Sequence, residues 1–234
     1  MASKFAVHTR YRNKAGAIVP GVTTVIGLLA KPALINWAWK LGLEGQDMNK
    51  VRDNAADVGT LAHYLCECIL KGVKPDVSEF KPADLEIAQA CANSYAAWWK
   101  KSGLRLVACE LGIVSELWQF GGTIDLIAVD KEGRHYLLDL KTSKGIYDEY
   151  KIQLAAYKEG WEELNPKKPI YKVIVVHIDK ETADLSLHQF SDDLRHFFSI
   201  FKHLRAIYVL QKITDPKRRN DDRKITSLSE ALNK

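Results

Sequence analysis

The chain has 234 residues, of which 47% are hydrophobic and 27% are charged, and its formal net charge is +5. This composition is typical of a soluble globular protein and excludes a disordered or fibrous chain. No apolar run approaches the roughly 20 residues of a membrane helix, and the first residues lack the apolar core of a secretion signal. We therefore expect a cytoplasmic protein, for which the modest basic excess permits a polyanionic partner without requiring one.

The first hundred residues are predicted to be mainly helical. Short strands are expected near residues 5–7 and 17–19, and a helix is expected to begin at Val22 with Thr23 or Thr24 as its N-cap. Proline at position 32 should end that helix. Apolar residues at helical spacing predict further helices over residues 33–43, 53–71 and 83–101.

The hydrophobic pattern changes from helical to strand periodicity at Leu104. Strands are expected over 104–114 and 117–120, followed by a hairpin over 123–141 that turns at Asp130–Gly133. The remaining elements are predicted as a helix at 149–164, a central strand at 171–178, an outer strand at 185–190, and a final amphipathic helix capped by Ser191.

This order of elements predicts an α/β (α+β) fold with a central mixed β-sheet flanked by helices. We expect one structural unit with three parts. Residues 1–103 would form an N-terminal segment and helical cap that carries His63, residues 104–210 the core, and residues 211–234 a polar tail.

Asp125, Asp139 and Lys141 form the most informative group. Asp139 and Lys141 are two apart at the end of a strand, so their side chains share a face, and the hairpin could place Asp125 beside them. Two facing carboxylates repel each other unless a cation lies between them. The pattern predicts a divalent metal site beside a lysine, although each residue alone could be a turn carboxylate or a solvated lysine.

His63 and Glu110 could contribute to the same site. His63 lies one helical turn before Glu67, which could orient a metal-binding imidazole; a hydrogen-bonded core histidine is the alternative. On strict alternation Glu110 shares a face with Leu106 and Ala108, where an acid needs a partner. It could position a metal or its water, or it could pair with a buried basic side chain.

Gln153 and Tyr157 are four residues apart and should share one face of the predicted helix. An amide and a phenol there could bind a phosphate or a base edge, and the Tyr157 ring could stack on a base. The alternative is an amphipathic helix with polar tips.

Taken in order, Gly59-Thr60-x-x-His63, Glu110, Gly122-x-x-Asp125, Asp139-x-Lys141 and Gln153-x-x-x-Tyr157 resemble the RecB-type branch of the PD-(D/E)xK nuclease superfamily, which includes phage exonucleases. The resemblance covers about residues 20–180. It implies a restriction-endonuclease-like core with an N-terminal helical cap. One departure is Asp139 itself, because many relatives have glutamate there.

The resemblance also implies the roles of the residues. Mg²⁺ or Mn²⁺ would be bound by His63, Asp125, Asp139 and the backbone carbonyl of Leu140. Lys141 would be the catalytic lysine, and Glu110 would assist the metal or its water. Gln153 and Tyr157 would position the strand, and phosphates could contact Thr142, Ser143 and Lys144.

Cysteine spacing argues against an iron–sulfur cluster, which some relatives carry. Such a cluster needs a group of three cysteines after the core, and here the cysteines are at positions 66, 68, 91 and 109. These spacings also match no zinc or disulfide pattern, so we expect reduced thiols.

The expected function is a Mg²⁺- or Mn²⁺-dependent DNA nuclease, most simply an exonuclease or a flap- and end-processing nuclease on single-stranded ends. The expected setting is DNA recombination, replication or repair, and a recombination or replication protein is a possible partner. If the gene is from a phage, the protein would act in the host cytoplasm. A sequence- or structure-specific endonuclease and a non-catalytic DNA-binding module of the same fold are the alternatives, and a hydrolase of small phosphoesters is a third.

Overall fold

A computed structural model describes residues 10–190 and 194–215. The strand expected at 5–7 and the cap expected at Ser191 lie outside these residues. A two-stranded ribbon, β1 (Tyr11–Arg12) and β2 (Ile18–Val19), precedes the main body and confirms the strand expected at 17–19. The ribbon joins the main sheet where the Gly121 amide donates to the Pro20 carbonyl at 2.9 Å.

The helices of the first hundred residues are α1 (Val22–Ile26), α2 (Pro32–Leu43), α3 (Met48–Lys71) and α4 (Pro82–Ser102). The cap predicted for α1 was wrong, because Gly21 occupies the N-cap and Thr23 and Thr24 lie within the helix. Helix α3 begins five residues earlier than expected. The Asp47 carboxylate caps it by accepting from the backbone amides of Asn49 and Lys50.

Five strands form the main sheet: β3 (Arg105–Ser115), β4 (Phe120–Val129), β5 (His135–Lys141), β6 (Ile170–Ile178) and β7 (Leu185–Phe190). They lie in chain order across the sheet. Only the β5–β6 pair is parallel, so the sheet is mixed. Of the strand expected at 117–120, residues 117–119 instead belong to a turn and Phe120 begins β4. The Glu163 carboxylate stabilises the turn by accepting from the amides of Glu116 and Leu117.

Helix α5 (Asp148–Leu164) connects the parallel strands β5 and β6, and α6 (Leu194–Thr214) follows β7. Helices α1, α5 and α6 pack on one face of the sheet, and α3 and α4 pack on the other. This confirms the α/β class with a mixed sheet flanked by helices. Residues 211–214 continue α6, so the polar tail does not begin at 211 as predicted.

Helices α3 and α4 lie directly on the sheet. Leu61 and Leu65 of α3 and Tyr95 of α4 share one buried cluster with Leu126 and Leu138 of the sheet. The layer therefore holds His63 against the strand ends, while the division into a cap and a core stays a prediction. Within the described ranges, none of the helices is long and apolar enough to cross a bilayer.

Candidate active site

The end of β5 carries a buried ion pair. The Lys141 ammonium lies 2.7 Å from Oδ2 of Asp139, whose side chain is 1% exposed. The two side chains share a face, as the strand spacing predicted. Burial lowers the pKa of Lys141, but the charges of Asp139 and Asp125 outweigh that effect and raise it overall. Lys141 is therefore a cation at neutral pH.

Asp125 lies beside this pair because of the hairpin register. Leu126 of β4 pairs with Leu138 of β5. Asp125 lies one residue before Leu126, and its Oδ2 accepts a hydrogen bond from the Leu140 amide at 2.9 Å. Burial raises the pKa of Asp125 despite the nearby Lys141 charge. The hairpin thus brings the two aspartates together, as expected.

Helix α3 delivers His63 to the same place. Nδ1 of His63 is 3.6 Å from Oδ2 of Asp125. Burial and the Lys141 charge lower the pKa of His63 to about 4, so the imidazole is neutral at pH 7 and free to act as a metal ligand. Gly59 permits this approach, since a Cβ there would lie 3.1 Å from Oγ1 of Thr142. Gly59 lies in the middle of α3.

Glu110 reaches the site through irregular backbone. The β3–β4 register shifts between Leu106 and Ala108, and Glu110 itself has a left-handed φ of 49°. Ala108 consequently packs with the α5 side of the sheet, whereas Glu110 lines a cavity with His63. The expectation that Glu110 and Ala108 share a face was wrong because it assumed strict alternation.

Three candidate ligands converge at this cavity, which measures about 20 Å³. Ligand atoms of His63, Glu110 and Asp125 all lie within 4.8 Å of one another. Partial burial of the Glu110 carboxyl and the charges of Asp125 and Glu67 raise its pKa to about 7. Glu67 was expected to orient His63, but its carboxylate pairs with Lys71 instead.

Asp139 provides the test of whether these residues fit a cation. Both of its carboxylate oxygens are buried, and within the described ranges neither accepts a hydrogen bond from an amide or hydroxyl group. Their close partner is the Lys141 ammonium, 2.7 Å from Oδ2. Burial raises the pKa of Asp139 to about 6. A buried carboxylate that lacks such donors is costly, and a divalent cation would relieve that cost. The donor set of neutral imidazole and carboxylates suits Mg²⁺ or Mn²⁺.

Gln153 and Tyr157 lie on α5 beside the strand ends, and Nε2 of Gln153 donates to the Tyr157 hydroxyl at 3.0 Å. The Tyr157 ring is 4% exposed and packs on Gly122, where a Cβ would be 2.4 Å from Cε1 of the ring. The expectation that this ring stacks on a base was therefore wrong. Phosphate positioning by the Gln153 amide stays a prediction.

The three residues after Lys141 differ in accessibility. Thr142 is buried against Gly59, which does not favour the phosphate contact expected of it. The Ser143 carbonyl accepts from Nε2 of His177 at 2.6 Å. Lys144 has a side chain that is 86% exposed and lies 3.4 Å from Glu181. Phosphate contacts by Ser143 and Lys144 stay predictions.

Two neighbours of the site had no role assigned to them from the sequence. The Tyr150 ring lies under the Lys141 ammonium, which is 4.9 Å from the ring centroid. The position of Tyr150 one helical turn before Gln153 was a signal in the sequence that could have identified it. His177 pairs with Lys141 across the parallel strands. No sequence pattern reveals that neighbour, because the register of parallel strands is set by packing.

Comparison with known proteins identifies the family. Residues 36–224 match the family described as the PD-(D/E)XK nuclease superfamily. No protein of curated function matches the sequence. Among solved structures, "Putative exonuclease" from Eubacterium rectale has a TM-score of 0.45 at 16% identity, with 75% of this chain and 79% of that one covered.

A second solved structure, SSO0001, has a TM-score of 0.35 at 14% identity. The superposition covers 69% of this chain and 98% of the other chain. Neither similarity is close enough to indicate a function.

Proposed function

The chain belongs to the PD-(D/E)XK nuclease superfamily, and from that premise we propose that it is a Mg²⁺- or Mn²⁺-dependent deoxyribonuclease acting on single-stranded DNA ends or flaps. The observation that carries the proposal is the Asp139 carboxylate, which is buried beside Asp125 and has the Lys141 ammonium as its close partner. This arrangement gains stability from a bound cation, and a cation beside a lysine suits phosphodiester hydrolysis.

The residues that would hold the cation are His63, Asp125 and Asp139 with the Leu140 carbonyl, and Glu110 lies close enough to His63 and Asp125 to join them. When bound, the cation supplies Lewis-acid activation of water and of the scissile phosphoryl group. His63 does not have to lose a proton before it binds the cation, because its imidazole is already neutral.

Lys141 would stabilise the negative charge that develops on the phosphate during attack. Its ammonium is held between the Asp139 carboxylate and the Tyr150 ring, so the charge is positioned before substrate arrives. Glu110, with a pKa near 7, is suited to accept a proton from the attacking water at neutral pH.

The depth of the site supports a single strand as substrate. Asp139 is 1% exposed and Lys141 is 17% exposed, so the phosphodiester has to enter a recess to reach them. A flexible single strand enters a recess more readily than a rigid duplex does. Ends and flaps provide such strands, which is why we propose end-directed cleavage in a recombination, replication or repair setting.

The direct test is release of labelled nucleotides from single-stranded DNA in Mn²⁺, with Asp139→Asn as the inactive variant. We expect wild-type cleavage that EDTA abolishes. A parallel assay on closed circular plasmid separates the endonuclease, which would cut the circle, from an end-dependent enzyme. If wild type and Asp139→Asn both bind DNA and neither cleaves it, the protein is a non-catalytic binding module and the proposal fails.

A further inference from the structure

We propose that the exposed ring of Tyr147 is a stacking site for an unpaired nucleobase within about three nucleotides of the scissile phosphate. The inference rests on the proposed function and deepens it, since it assigns a base-binding subsite to the same active site. The base contact expected of Tyr157 is excluded by the burial of that ring, which leaves the subsite to be found elsewhere.

Tyr147 is connected to the reaction centre through one ring. The Lys141 ammonium lies 4.9 Å from the Tyr150 centroid, and the Tyr150 ring meets the Tyr147 ring edge to face at 5.6 Å. Tyr147 therefore lies within about 11 Å of Lys141. A single strand bound at Lys141 covers that distance with about three nucleotides when stacked, and with fewer when extended.

The Tyr147 ring is held in place and still accessible. Tyr147 is 51% exposed and immediately precedes α5, where its side chain makes no capping hydrogen bond. Contact with Tyr150 limits the positions of the ring, so little conformational freedom remains to be lost when a base stacks on it. An exposed aromatic ring fixed beside a phosphate-binding centre is the arrangement that single-strand binding proteins use.

The charges around Tyr147 do not oppose a nucleic acid strand. Asp148 and Glu149 follow it in the chain, but Asp148 lies 2.8 Å from the Lys151 ammonium and Glu149 lies 3.3 Å from that of Lys31. Both acids are thus neutralised by lysines. The exposed Lys144 lies three residues before Tyr147 and is likewise paired, 3.4 Å from Glu181.

Tyr171 provides a matched control. It is also 51% exposed and also meets another tyrosine edge to face, with its ring 5.7 Å from that of Tyr136. Tyr171 lies near the start of β6, whereas the active site is at the opposite end of the parallel strand β5. Loss of the two rings should therefore have similar effects on folding and different effects on strand binding.

The experiment measures affinity for a fluorescent single-stranded oligonucleotide by anisotropy in Ca²⁺, and cleavage in Mn²⁺. The strand carries one abasic nucleotide, moved singly through the first eight positions. Wild type, Tyr147→Ala, Tyr147→Phe and Tyr171→Ala are compared. We expect Tyr147→Ala to weaken binding about 5- to 100-fold, and Tyr147→Phe and Tyr171→Ala to stay within about twofold of wild type.

The abasic series separates stacking from a structural effect. At one position, the abasic nucleotide should weaken strand binding by wild type about as much as the Tyr147→Ala substitution does. The same abasic nucleotide should not weaken strand binding by Tyr147→Ala any further. Equal affinity of Tyr147→Ala and wild type, or a loss independent of abasic position, overturns the stacking site while cleavage by wild type leaves the nuclease proposal intact. Binding that depends on Tyr147 without any cleavage supports the stacking site and rejects the nuclease proposal.

Discussion

The Lys141 ammonium and the Asp139 carboxylate form an ion pair of 2.7 Å in which Asp139 is 1% exposed. Two residues apart on β5, they share a face of the strand, and the Tyr150 ring covers the cation from the other side. Burying such a pair costs desolvation energy. The cost is acceptable where the lysine has to be in place before a phosphate arrives.

Replacing Lys141 by alanine should lower the rate of cleavage about 10²- to 10³-fold, because one positioned charge at the developing anion contributes about that much. Affinity for single-stranded DNA should change less than about threefold. Single-turnover cleavage in Mn²⁺ measures the first quantity and anisotropy the second. Lys158→Ala is the control, since Lys158 is also a half-buried lysine paired with an acid, here Glu162 at 2.6 Å. A cleavage rate for Lys141→Ala equal to that of the control would contradict the assignment.

Replacing Asp139 by asparagine should stabilise the metal-free protein at neutral pH. Burial raises the pKa of Asp139 from 3.8 to about 6, so the folded state binds more protons than the unfolded state between these values. Its contribution to the free energy of unfolding therefore falls as the pH rises through this window.

Urea unfolding in EDTA at pH 4 and pH 7 measures the effect. Asp139→Asn should be close to wild type in stability at pH 4 and should exceed it by about 1–3 kcal/mol at pH 7. His63, whose lowered pKa gives the opposite pH dependence, is present in both proteins. Added Mn²⁺ should stabilise wild type alone; a variant that is less stable than wild type in EDTA at pH 7 would refute the argument.

The affinity for Mn²⁺ should weaken as the pH falls below 7, because protons compete for the carboxylates before they reach the imidazole. Glu110 has a pKa of about 7 and Asp139 of about 6, whereas His63 stays neutral down to about pH 4. Calorimetric titration with Mn²⁺ from pH 5 to pH 8 measures this dependence. Glu110→Gln should remove the upper inflection in the plot of Mn²⁺ affinity against pH. If the variant keeps an inflection near pH 7, another group is responsible for that inflection.

Replacing Gly122 by alanine should destabilise the fold by about 1–3 kcal/mol, because the new methyl group would lie 2.4 Å from Cε1 of the buried Tyr157 ring. Urea unfolding measures the loss. Gly112→Ala is the matched control in the neighbouring strand β3, since no atom lies within 4 Å of its added Cβ. Equal stability of the two variants would show that the Tyr157 ring can move aside.

Local patterns predicted most of the secondary structure and half of the site geometry. The period-two spacing of Asp139 and Lys141 placed them on one face, and the turn at Asp130–Gly133 brought Asp125 back beside them. Helix boundaries were predicted to within a few residues except at α3, whose start depends on a cap at Asp47 that the apolar pattern does not include. These features were predictable because they depend on neighbours in sequence.

Long-range packing decided the rest. Glu110 turns toward His63 only because the register shift and a left-handed residue interrupt β3. Tyr157 is buried and Tyr147 is exposed, since Gly122 leaves space for the first ring and Tyr150 supports the second.

The sequence by itself therefore determined which groups are available for the chemistry and which strand and helix carry each one. The tertiary structure alone decided their burial, their pKa values and their distances. The physical reason is that desolvation and close contact depend on atoms from distant parts of the chain, such as those that enclose the Asp139 carboxylate and, among the described residues, offer its oxygens no amide or hydroxyl donor.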